Sequence, residues 1–196
     1  SEKLMRQKIL DALKQYEEKY PYRYGMKKAE VQVTYLKKMK PVVFDHYVEY
    51  LEQEGALKRM EEYLCTAEYE VRKDAVYDRV SAKILDTVRK AGYDFERYSD
   101  IAFGEKDKAV ADDILNILLE EKRIVKVSDD LYTLTEYMEK AKTMIQEEFK
   151  KREVITTAEV RDLFQTSRKS AKPIIEYMDS IKVTKRVGAE SERVAY

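Results

Sequence analysis

A mainly α chain with small β-hairpins, built from tandem modules of similar size, is the fold class that the sequence predicts. Three observations predict it. Gly and Pro together supply 8 of 196 residues, about 4%, where ordinary usage is roughly 12%, so little material is left for turns and loops. Apolar residues recur at the i, i+3, i+4 spacing of amphipathic helices. Three stretches, beginning at Tyr50, Leu118 and Tyr177, repeat one another at offsets of 68 and 59 residues. Each has a large apolar pair, a few polar residues, and a short strand-like run ending in Lys.

In the first module Met5, Ile9, Ala12, Leu13 and Tyr16 make one helical face, and Phe44, Tyr47, Val48 and Leu51 make another. A hairpin follows, Leu57 to Met60 turning over Glu61-Glu62 into Tyr63-Leu64-Cys65. The second module has stripes Ile84, Leu85, Val88, Ala91 and Val110, Ile114, Ile117, Leu118, then a hairpin from Ile124–Val127 through Ser128-Asp129-Asp130 into Leu131–Leu134. The third opens with a helix from Thr135 to about Arg152, with Met138, Ala141, Ile145 and Phe149 inward. Thr156-Thr157-Ala158-Glu159 is a capping box that starts a short helix through Phe164. Ser167 is an N-cap for the next helix, whose stripe is Ala171, Ile174, Ile175 and Met178. Pro173 should kink that helix's first turns. The last hairpin runs from Val183–Val187 through a turn at Gly188–Glu192 into Arg193-Val194. Helix, short helix, turn, helix, two-stranded hairpin is the order of a winged helix–turn–helix. The expected modules are residues 1–73, 74–134 and 135–196.

Several chemistries are excluded. The five glycines stand apart, so neither G-x-G-x-x-G nor G-x-x-x-x-G-K-[ST] can be written. One His and one Cys build no zinc site of the usual kinds, and the lone Cys65 makes no internal disulfide and fits a reducing compartment. His46 reads as a surface residue and Cys65 as a small packing residue, while Asp112-Asp113 and Asp129-Asp130 do not converge, so no catalytic residue and no metal site is expected. No run approaches 18 apolar residues and no signal peptide is written, so no membrane partner is expected. A start at Ser1, without Met, suggests a fragment of a longer protein. The 16 tyrosines read mostly as half-buried filler between small elements, Tyr offering apolar area with a wet tip.

Net charge is zero, yet its distribution is uneven: residues 1–73 carry +2, 74–134 carry −4 and 135–196 carry +2. Between Thr166 and Arg186 six cations (Arg168, Lys169, Lys172, Lys182, Lys185, Arg186) oppose only Glu176 and Asp179. A charge cluster is ordinarily a solvated face, but this one opens the third helix of the last module. Free amides and the positive helix end attract phosphate there. Arg168, Lys169 and Lys172 on the helix, with Lys185 and Arg186 on the wing, concentrate cations around that point, and Thr166, Ser167 and Ser170 supply small hydroxyl donors. The same position in the second module, Glu105-Lys106-Asp107-Lys108 followed by Asp112-Asp113, is balanced or acidic. Lys37, Lys38 and Lys40 form a further basic spot, more simply read as solvated surface.

The run from Thr157 through Thr166-Ser167-Arg168-Lys169-Ser170-Ala171 and Pro173 to Asp179, continued by Val183–Gly188, resembles the last winged-helix domain of the bacterial selenocysteine-specific elongation factors (SelB). Tyr20-Pro21 with Gly25–Val31 resembles an earlier winged helix of the same tail. Two departures stand out: Lys182 where the family commonly has glycine, and Ser170 where an aromatic is usual. The resemblance implies a cytoplasmic, monomeric portion of a translation factor that holds the mRNA hairpin recoding a UGA codon. It implies a ribosome and selenocysteinyl-tRNA as partners of the full-length factor, whose separate GTPase part would use GTP and magnesium; no cofactor is expected in this chain. The contact set it implies is Ser167, Arg168, Lys169, Lys172 and Arg186, with Arg161 as a weaker member. The rival readings are a DNA-binding winged-helix transcription regulator, which would need a dimerisation helix that is not apparent, and a protein-interaction array.

Overall fold

A computed structural model describes residues 1–188 and 191–196; positions 189 and 190, inside the expected last turn, lie outside the described residues. The chain divides into two compact units, residues 1–78 with 112–117, and residues 79–111 with 118–196.

In the first unit α1 (Glu2–Lys19) starts at Ser1, whose hydroxyl accepts the Leu4 N–H, and buries Ile9, Ala12 and Leu13. β1 (Met26–Lys27), α2 (Lys28–Tyr35), α3 (Pro41–Gln53), β2 (Leu57–Met60) and β3 (Tyr63–Thr66) follow. The strands form an antiparallel sheet in the order β1-β3-β2. Their inward residues Met26, Leu57 and Leu64 meet Ile9, Leu13, Val31, Phe44, Val48 and Leu51 in one core. Gly25, at φ +148°, is required: a Cβ there would collide with the Leu64 carbonyl. Glu17, only 8% exposed, is satisfied by the Thr66 N–H and hydroxyl, both donating at 2.7 Å. Asp74 accepts the Tyr77 N–H and the Tyr22 hydroxyl, and the backbone donor above all lowers its pKa from the usual carboxylate value.

Further along come α4 (Ala75–Ala91), a 3₁₀ turn at Tyr98–Asp100, α5 (Glu105–Glu120), and the antiparallel pair β4 (Ile124–Ser128) and β5 (Leu131–Leu134). Ile84, Leu85, Val88, Ile114, Ile117 and Leu118 are buried, as their spacing predicts, with Val80 and Ala111 buried beside them, while Ala91 and Val110 are only half-buried. α6 (Thr135–Glu148) follows β5 directly, and then β6 (Ile155–Thr156), α7 (Thr157–Leu163), α8 (Arg168–Ser180), β7 (Thr184–Arg186) and β8 (Glu192–Ala195) complete the chain. Strands β6-β8-β7 repeat the three-stranded arrangement of the first unit. Between them, the second copy of the pattern is reduced. A single bridge, Arg97 to Leu131, stands where the extra strand lies elsewhere, and a 3₁₀ turn replaces the short helix.

The helix–hairpin order is thus written three times among the described residues, which is the winged-helix architecture expected. The expected boundary at 134/135, however, does not separate two cores. Phe95 and Val127 share one buried cluster with Met138, Ile145, Ile155, Val160, Ile174, Ile175 and Met178. α6 also ends at Glu148, four residues short of the expected Arg152, because the chain must turn to deliver Ile155 and Thr156 into pairing with β8.

Candidate nucleic-acid interface

The capping box forms as the sequence requires. Thr156 Oγ1 accepts the Glu159 N–H at 3.2 Å while Glu159 Oε1 accepts the Thr156 N–H at 3.0 Å. α7 closes with Gln165 at φ 51°, its N–H donating to Asp162 O and the Thr166 N–H to Arg161 O, a Schellman ending that turns the chain sharply into α8. α8 runs unbroken from Arg168 to Ser180 through Pro173; at the sixth position the proline removes only the bond to the Lys169 carbonyl, and the stripe of Ala171, Ile174, Ile175 and Met178 holds the helix against the core.

The first turn of α8 contains Arg168 and Lys169 and no acidic residue, and its N-cap Ser167 makes no side-chain cap hydrogen bond. Cations beside the positive end of a helix dipole cost stability, about 0.3–1 kcal/mol each. α5, the corresponding helix of the second copy, begins in the favourable way with Glu105 and Asp107. The two helices thus carry opposite charge patterns in their first turns, unfavourable to the dipole in α8 and favourable in α5.

Arg168, Lys172 and Glu176 are spaced i, i+4, i+8 and so share one face of α8. With Arg186 on β7 they line a groove of about 180 Å³, together with Thr157, Ile175, Ser191 and Arg193. Arg193 was not singled out by its sequence setting, yet it is the largest fully buried side chain, 2% exposed, and its Nε donates to both Asp179 oxygens at 3.1 and 3.0 Å. Thr184 adds a 2.6 Å hydrogen bond to the same carboxylate. The only sequence signal for Arg193 is its position in β8, where it pairs with both Ile155 and Arg186 and therefore points with the inward residues.

Of the expected contact residues, the structure brings Arg168, Lys172 and Arg186 together around the groove, with Ser167, Lys169 and Lys185 exposed nearby. Two hydroxyls need correction. Ser170 is buried at 4% exposure and accepts the Phe95 N–H at 3.1 Å, and Thr166 donates to the Tyr93 carbonyl at 2.8 Å and to Asp94. Both face inward and bind the segment 93–95 instead of presenting donors to solvent, because positions 166 and 170 lie on the side of the turn that packs against that segment. Arg161 lies on α7 with its Nε 3.1 Å from Asp162, apart from the groove lining. Residues 93–95 are the part of this site that the sequence concealed: Tyr93 packs its ring 4.8 Å from Phe164 and helps fix the α7–α8 turn.

Family models described as elongation factor SelB, winged helix, match twice: a second-domain model over residues 10–64 and a third-domain model over residues 147–191, together just over half of the chain. The chain belongs to the SelB family. Residues 65–146, which hold the reduced copy of the pattern, fall outside both matches. The selenocysteine-specific elongation factor of Desulfomicrobium baculatum is 26% identical over 182 residues, 91% of this chain and 28% of that protein. The chain therefore spans little more than a quarter of the curated relative it matches. Two solved structures share the fold. A bacterial selenocysteine-specific elongation factor, EF-Sec, has a TM-score of 0.55 at 15% identity, covering 99% of this chain and 29% of that one. The mRNA-binding domain of E. coli SelB, in complex with SECIS RNA, has a TM-score of 0.50 at 19% identity, covering 63% of this chain and 98% of that one.

Proposed function

We propose that this SelB chain binds an mRNA hairpin that directs selenocysteine insertion, through the α8 tip and β7 of its last winged helix. The observation that carries the proposal is the exposed cationic rim of Arg168, Lys172 and Arg186 at a helix end that lacks any acid in its first turn. An A-form stem hides its base edges in a deep, narrow major groove, so a basic rim of this kind suits backbone phosphates near a hairpin loop, where unstacked bases can add specificity. Ser167, Lys169 and Lys185 extend the rim, and Ser170 and Thr166 act from behind as supports. The SelB relatives support this reading over a DNA-binding regulator.

The remaining partners belong to the same proposal. The ribosome and selenocysteinyl-tRNA are engaged by the longer factor in the cytoplasm, GTP and magnesium are bound outside this chain, and the chain itself performs no catalysis and works as a monomer. No helix among the described residues is long and apolar enough to cross a membrane, and no cluster of described side chains suits a metal ion.

The test is a titration of the chain with a selenocysteine-insertion hairpin and with duplex DNA at several salt concentrations. We expect hairpin preference and a slope of log K against log salt of roughly −3.5 to −4.5, the value for about five phosphate contacts. Preference for duplex DNA, or no binding to either, overturns the proposal.

A further inference from the structure

Among the described residues that line the α8–β7 groove, Glu176 is the one acidic side chain. Its Oε1 lies 4.0 Å from Lys172 Nζ and 4.0 Å from Arg186 Nη2. Both partners are more than half exposed, and loose pairs of that kind add only a little to folding stability. The contrast with Asp179 is plain: that carboxylate is gripped by the buried Arg193 and by Thr184, and belongs to the framework. Glu176 instead stands on the rim, between the two cations to which a phosphate oxygen would have to come.

A groove in the first unit, lined by Lys27, Lys28, Gln32, Arg59, Glu61 and Glu62, shows what full neutralisation looks like. There Lys27 faces Glu62 at 4.0 Å, Lys28 faces Asp45 at 2.5 Å and Arg59 faces Glu52 at 3.4 Å, one carboxylate for each cation. Arg59 sits opposite Leu64 on the central strand as Arg186 sits opposite Arg193, so the two grooves are built on corresponding wing positions. In the last winged helix a single carboxylate serves two cations, and Arg168 adds a third on the same wall. The site is left net positive, but an entering phosphate meets an anion already in place.

We propose that Glu176 is a built-in competitor for phosphate that limits the affinity of this interface for RNA backbone. Resting on the reading of the groove as an RNA interface, the proposal adds a residue that works against binding. Without its carboxylate, Lys172 and Arg186 give their whole charge to the incoming strand.

The experiment measures binding of the full chain and its Glu176→Gln variant to the hairpin and to an unrelated RNA stem of equal length, across salt concentrations. Glu176→Gln should bind both RNAs about twofold to fivefold more tightly, the fold-change of one weak exposed pair, with a salt slope steeper by up to about one. Glu176→Asp, whose carboxylate is drawn back, should fall between the two. With Lys172 and Arg186 both changed to Met, the gain from Glu176→Gln should shrink, because the carboxylate then has no paired cation to release. Unchanged or weaker binding by Glu176→Gln, while the wild-type chain binds the hairpin, overturns the inference alone. A wild-type chain that binds no RNA overturns the interface reading itself, and the inference with it.

Discussion

Backbone conformation at single residues explains one of the departures from the SelB pattern. Lys182 lies at φ 61°, with its N–H on the Asp179 carbonyl and the Val183 N–H on the Met178 carbonyl, so it occupies the left-handed position of a Schellman ending. Gly55 holds the same place after α3 and Lys122 after α5, each with the same pair of backbone bonds. A glycine is at ease there and a lysine is not. Lys182→Gly should therefore raise stability, by about 0.5–1 kcal/mol in chemical denaturation, the usual gain from relieving a left-handed residue net of chain entropy. Hairpin affinity should stay unchanged, since Lys182 is not among the groove-lining residues. The second departure, Ser170, also has a structural role, as acceptor for the Phe95 N–H.

At the scale of elements, the α7–α8 turn is supported from behind. Segment 93–95 contributes a carbonyl to Thr166, an N–H to Ser170 and a ring to Phe164. Ser170→Ala leaves the Phe95 N–H buried without a partner, a loss of about 1–3 kcal/mol. We expect that loss in thermal or chemical denaturation, with hairpin affinity nearly unchanged under conditions where the variant is folded. A large fall in affinity at unaltered stability would instead return Ser170 to the contact set. The capping box, the apolar helix stripes and the hairpin of residues 57–66 were all legible in the sequence, because local spacing and side-chain chemistry dictate them. The partners of Ser170 lie 75 residues away, and no local pattern records them.

Across the whole molecule, zero net charge conceals opposite charge patterns at corresponding helix ends. α5 opens with Glu105 and Asp107, the latter paired to Arg79 at 2.6 Å, whereas α8 opens with cations alone. Reversing charge at both Arg168 and Lys169 should weaken hairpin binding by at least tenfold, and reversing Lys106 and Lys108 by less than twofold, as read by titration at fixed salt. Equal effects would mean that the last winged helix holds no special place. By itself the sequence determined the helical class, the threefold helix–hairpin order and the basic tip, since each follows from periodicity, capping chemistry and charge along a short stretch of chain. Tertiary structure decided which hydroxyls face inward, where Arg193 is buried, how Glu176 stands between Lys172 and Arg186, and that Phe95 and Val127 join the core of the last winged helix. Those outcomes depend on packing, hydrogen bonds and ion pairs between segments that only the folded chain brings together.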